Sequence, residues 1–291
     1  MKRRLVLAMV LLSIGPAQDA IRGADREPAA MRPLRVVEAR RAIHGPAPVT
    51  IEEPGSYYLA SNIDAAGLPA VIIKAPDVNL DLNGFTIAGS QDNLGVVLGD
   101  NTLDVVLRNG TIRNFAQGLI NAGVTSVTLS NLTIAENLRN GVGIDRGGVG
   151  VFIHGCTIVR NGEHGILAVG AHVVITNSDV TNNGFDGIAL LESASVTVQG
   201  NRVSDNGRSG IHAAILFQGD SAPTGTIFHN VLFHNARFGI ETSSAAGPFP
   251  DLSIAGNFAT GNGLGNYTLT GANAAPVATL ASNPGAWANV Q

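Results

Sequence analysis

The chain has 291 residues, of which 45% are apolar and only 14% charged, with 36 glycines. That composition excludes an ordinary helical protein, whose surface needs Lys, Glu and Arg, and favours short stacked strands joined by tight turns. The net charge of −4 excludes a nucleic-acid surface of clustered basic residues, and the single Cys156 excludes an internal disulfide framework and a thiolate metal site.

Lys2, Arg3 and Arg4 precede an apolar run, Leu5 to Ile14, that is too short to span a bilayer, and Gly15-Pro16-Ala17 offers small residues for cleavage. Residues 1–17 therefore read as a signal peptide that directs export to the periplasm or beyond; an uncleaved anchor is the other reading. No other stretch is long enough to cross a membrane. Residues 18–45 place Arg22, Arg26, Arg32, Arg35, Arg40 and Arg41 among Ala and Pro without a period, which describes a flexible leader, with a short cap helix over Leu34 to Ile43 as the alternative.

Residues 46–291 carry the fold. Gly followed by an alternating apolar strand recurs at Gly95, Gly118, Gly141, Gly165, Gly187, Gly210 and Gly239, a repeat of about 23 residues. A second strand follows in each unit (Val105-x-Leu107, Val127-x-Leu129, Val151-x-Ile153, Val173-x-Ile175, Val196-x-Val198). A third apolar position comes five residues later, at Ile112, Ile134, Ile158, Val180 and Val203. Period-two alternation puts one face in and one out. Three such strands per repeat make one triangular coil, and a coil buries its apolar face only by stacking on its neighbours. The expected fold is all-β: one right-handed parallel β-helix of about eight or nine coils. Residues 46–70 and 270–291, the latter including Trp287, are expected to cap its ends, because an open end is an unpaired edge.

Asn114, Asn137, Asn161, Asn183, Asn206, Asn235 and Asn262 recur before each repeat glycine and read as a stacked ladder at left-handed turns. Cys156, level with Gly110, Leu132 and Ser178, reads as a small packing residue. Gln218 to Gly225 and Ala245 to Pro250 read as insertions at one edge of the solenoid.

The runs Pro54-Gly55-Ser56-Tyr57-Tyr58-Leu59 and Val78-Asn79-Leu80-Asp81-Leu82-Asn83-Gly84-Phe85-Thr86-Ile87, the Asn-x-x-x-Gly-Ile repeats and the tail Asn283-Pro284-Gly285-Ala286-Trp287-Ala288-Asn289 resemble bacterial exported β-helix repeat proteins with the pectate-lyase-like fold. The resemblance spans about residues 46–291. It implies an exported protein that binds or modifies polysaccharide, as a lyase, hydrolase or epimerase if it is an enzyme. The short catalytic motifs of polygalacturonases, pectate lyases and mannuronan epimerases are missing, so a site is sought in columns of residues one coil apart.

Two outward columns, Glu136-Arg160-Asn182-Asp205-His234 and Thr157-Asp179-Arg202, alternate in charge and read as solvated ion-pair ladders. The turn before each repeat glycine offers more. It carries Glu163 and His164, then Phe185 and Asp186, then Arg208, then Arg237 and Phe238, with His212 and Glu241 following on the strands. His164, Asp186, Arg208, His212, Arg237 and Glu241 are the candidate site. Arg binds a uronate carboxylate through two parallel hydrogen bonds, an acid or His moves a proton, and Phe stacks on a sugar ring. Isolated His154, His172 and His229 read as turn residues. No dense Asp cluster marks a calcium site, so neither a metal nor another cofactor is expected. The competing reading is a non-catalytic scaffold, whose outward column Val97, Ile120, Gly143, Leu167 and Ala189 is small or apolar and suits an interface. The oligomeric state is left open by the sequence.

Overall fold

The computed structural model describes residues 40–99, 102–121, 125–145, 149–192, 195–216, 222–244, 249 and 251–269. The signal peptide, most of the leader, and the C-terminal cap expected over 270–291 lie outside the described residues. Within them every regular element is a strand, and every strand pair is parallel.

One coil shows the plan. Ile166–Val169 lies on the first face, His172–Thr176 on the second and Asp179–Thr181 on the third. The next coil repeats it with Ile188–Leu191, Ser195–Gln199 and Arg202–Ser204, paired strand for strand. The first face is a ten-stranded sheet running from Val49–Ile51 to Gly265–Leu269. The other two faces are joined in a seventeen-stranded sheet, because Leu103–Arg113 and Thr125–Ala135 pass through both without a break. The result is a parallel β-helix of about nine coils.

Inward residues stack in register. Leu107, Leu129, Ile153, Ile175, Val198, Ile227 and Ile254 form one core column, and Ile112, Ile134, Ile158, Val180, Val203 and Leu232 another. These side chains are buried almost completely, each worth about 1.5–3 kcal/mol relative to exposure. Phe249 also enters the core, so the insertion over Ala245 to Pro250 contributes an anchor.

Three features differ from the sequence expectation. Arg41–Ile43, expected in the leader, is a strand paired with Gly55–Leu59, so the solenoid starts before residue 46 and these three residues are not part of a cap helix. Thr224 and Gly225, placed in the insertion, already belong to a strand paired with Ser195 and Val196. The third concerns the Asn ladder. Asn137, Asn161, Asn183, Asn206, Asn235 and Asn262 do stack, each backbone N–H and side-chain amide of one donating to the Oδ1 of the next at 2.8–3.2 Å. The left-handed residues, however, are those just before them: Asn114, Glu136, Arg160, Asn182, Asp205 and His234 have φ of 55–60°. That single residue turns the corner, which frees the following Asn to point inward. Asn114 belongs to this corner column, and the buried Phe115 takes its place in the ladder, its N–H donating to Asn137 Oδ1. A second ladder stacks Ser178, Asn201, Asn230 and Asn257 at the other corner. Cys156 closes it, buried as expected, its N–H donating to Ser178 Oγ.

Candidate functional site

The turn before the first face is two stacked columns. Backbone hydrogen bonds tie Glu163, Phe185, Arg208 and Arg237 into the outer one. The inner one holds Asn140, His164, Asp186, Ser209 and Phe238, each set beside a repeat glycine. The glycine is required by close approach: a Cβ at Gly187 would lie 2.6 Å from Val203 Cγ1 and 2.8 Å from both Asn206 Nδ2 and the Gly210 carbonyl oxygen. The strand then leaves the turn with its first outward residue beside the array. Register places Ala189, His212 and Glu241 in that one outward column.

All six candidate side chains fall on these three columns. Asp186 is at the centre and its side chain is only 2% exposed. Its Oδ1 accepts the Ser209 N–H at 2.9 Å. Its Oδ2 lies 3.4 Å from Nδ1 of His212 on one side and 3.4 Å from Nδ1 of His164 on the other. Only the His212 contact has hydrogen-bond alignment; His164 Nδ1 is buried without a partner among the described residues. His212 Nε2 lies 2.7 Å from Ser243 Oγ. Glu241 is nearly buried and accepts Ser209 Oγ at 2.5 Å and Arg237 at 3.0 Å. Arg208 stacks its guanidinium 4.5 Å from the centre of the Phe185 ring, and His164 meets the same ring edge-on.

Electrostatics follow from this packing. Burial pushes the Asp186 carboxyl up, but the hydrogen bond and charge of His212, the Ser209 N–H and His164 outweigh it, and the group sits below the ordinary carboxylate value. Burial holds His164 below its ordinary value, aided by Arg208 and opposed by Asp186. Asp186 is thus an anion at neutral pH and His164 a neutral ring. An ionised carboxylate only accepts, so Nδ1 of His212 donates to Asp186, and Nε2 is the ring nitrogen within hydrogen-bond reach of Ser243 Oγ.

Sequence reading missed Ser209 and Ser243. The signal for Ser243 was present: it is the next outward residue after Glu241 on a period-two strand. The signal for Ser209 was its position, one coil below Asp186. The apolar column singled out as a possible interface is the same column as the site. Val97, Ile120, Gly143, Leu167 and Ala189 run in register into His212 and Glu241. By contrast the two charged ladders are exposed ion pairs, Glu136–Arg160 at 2.7 Å and Asp179–Arg202 at 2.9 Å. His234 approaches Asp205 at 3.6 Å. No group of three or more His, Cys, Asp or Glu among the described residues is arranged to hold a metal ion, and no helix among them is long and apolar enough to cross a membrane.

The sequence profile described as "Right handed beta helix region" matches residues 94–278, more than half of the chain, and the chain belongs to this family. No curated protein matches the sequence. Among solved structures, the enzymatically active domain of bacteriophage CBA120 tailspike protein 2 is 14% identical with a TM-score of 0.60, over 78% of this chain and 39% of that one. The Dettilon tailspike protein is 17% identical with a TM-score of 0.53, over 75% and 46%. The periplasmic alginate epimerase AlgG is 16% identical with a TM-score of 0.53, over 71% and 51%. These likenesses establish the fold alone. The chain spans less than half the length of either tailspike structure.

Proposed function

We propose that the first face, with its preceding turn, is a polysaccharide-binding groove, and that the glycan it takes is acidic. The observation that carries this reading is the convergence on one edge of Arg208, Arg237, the exposed Phe185 and the Asp186–histidine array, continuous with an apolar strip along the solenoid axis. An extended glycan matches such a face: sugar rings lie on apolar and aromatic surface, and a guanidinium grips a uronate carboxylate with paired hydrogen bonds. Structures of similar fold include a pectate lyase, alginate epimerases and tailspikes, which supports the same substrate class. The basic and apolar N-terminal run supports export.

The apolar strip also suits a scaffold interface, but its register runs into buried acids and histidines, which a passive contact surface does not need. Binding to a panel of neutral and acidic polysaccharides tests the proposal. The acidic members should bind, and Arg208→Ala should weaken them about 10- to 100-fold, the worth of one hydrogen-bonded charge contact of roughly 1.5–3 kcal/mol. Failure of every acidic glycan to bind would sink the reading. New reducing ends, if released, would identify chain cleavage.

A further inference from the structure

We propose that Ser243, His212 and Asp186 form a nucleophile, base and positioning acid that hydrolyse ester bonds on the bound glycan; this rests on the groove assigned above. A serine relay is recognised by geometry rather than by sequence order or fold. Here the Ser243 hydroxyl lies 2.7 Å from His212 Nε2, and the other ring nitrogen faces the Asp186 carboxylate at 3.4 Å. The second distance is long for a hydrogen bond, as such contacts often are without substrate. Asp186 is itself fixed by the Ser209 N–H, so its free oxygen sets the tautomer of His212. The three groups come from separate coils: the turn before Ile188–Leu191, the strand Ile211–Ile215 and the strand Phe238–Ser244. Ser243 keeps partial exposure, while Asp186 is sealed.

In the reaction, Ser243 Oγ adds to the ester carbonyl carbon as its proton passes to His212 Nε2. The adduct collapses by breaking the bond between that carbon and the sugar oxygen, which takes the proton from His212. Water, deprotonated by His212, then adds to the acyl-serine and releases a carboxylic acid, restoring the hydroxyl. Arg237 pairs with Glu241, the preceding outward residue on the strand of Ser243. In the outward column leading to Ser243 stand the half-buried Leu191 and the fully buried Ala214. The half-buried Leu191 is what offers apolar surface in that column, and so short a surface suits a small acyl group such as acetyl.

The test exposes the full chain to a fluorophosphonate, maps the adduct by mass spectrometry, and measures acetate from O-acetylated glycans and methanol from methyl-esterified polygalacturonate. The expected result is one adduct, on Ser243, with acetate released and both lost about a thousandfold in Ser243→Ala. Methanol in place of acetate would overturn the acyl assignment. Asp186→Asn should slow labelling and Asp186→Glu should restore part of the rate, a rescue that a purely structural role would not give. Absence of an adduct on Ser243 in the wild-type chain, with no acid released from any ester, would overturn the relay. Polysaccharide binding by the same wild-type preparation reports on the groove separately: binding without labelling refutes the relay alone, and labelling without binding refutes the groove alone.

Discussion

Replacing Asn183 by Ala tests whether the inward amide ladder holds the coils together. Asn183 Oδ1 accepts the backbone N–H of Asn161 at 3.1 Å and its side-chain amide at 2.9 Å, and its own amide donates to the Ile158 carbonyl and to Asn206 Oδ1. All three asparagines are at most 2% exposed, so water does not replace what is lost. Asn206 Oδ1 still receives the backbone N–H of residue 183, which leaves the two Asn161 donors as the orphans. Each buried orphan costs about 1–3 kcal/mol, so the variant should lose about 4 kcal/mol, a large part of a typical total stability of about 5–15 kcal/mol. Asn262→Ala is the matched control. It removes the same acceptor from Asn235 at a half-exposed position near the last described coil, where water can enter, and should cost about 1 kcal/mol. Equilibrium urea unfolding of the two variants provides the comparison. Equal losses, or a loss below about 1 kcal/mol for Asn183→Ala, would refute the idea that the ladder is a buried, water-excluded clamp.

Two further expectations follow from the site. Because burial holds His164 below its ordinary value of 6.5, the unfolded chain takes up more protons than the folded one below that pH. Stability from this group is complete above about pH 6.5 and is lost as pH falls toward the folded value; urea midpoints should drop between neutral and mildly acidic pH, and His164→Gln should flatten the trend, an unchanged slope counting against it. Gly187→Ala forces a methyl against the Gly210 carbonyl and the Asn206 amide; it should cost about 2–3 kcal/mol and lower the melting temperature, whereas a neutral result would mean that neighbouring coils shift apart easily.

The solenoid was legible because its information is local and repeated. Alternation of period two decides which side chains point in, and the interval of about 23 residues decides which positions meet across coils, so the core columns through Leu107 and Ile112 can be written from the sequence. The six polar residues at the turn and on the strand after it were likewise singled out by position, since stacking brings equivalent positions of successive coils together. Failures came where one residue of register matters. The Asn ladder was assigned the corner conformation that belongs to the residue before it, because composition does not tell which of two adjacent polar residues turns the chain and which points inward. Asn114 was misplaced for that reason.

The sequence alone therefore determined the parallel β-helix, its repeat and the edge on which polar chemistry collects, because those follow from a pattern that each coil restates. Only the tertiary structure decided that Asp186 is sealed between two imidazoles, that Ser209 ties it to Glu241, and that His212 faces Ser243. Those contacts depend on side-chain rotamers and on the register between coils of unequal length: 23 residues separate Asp186 from Ser209, and 31 separate His212 from Ser243. A repeat with insertions does not fix such distances until the coils are stacked.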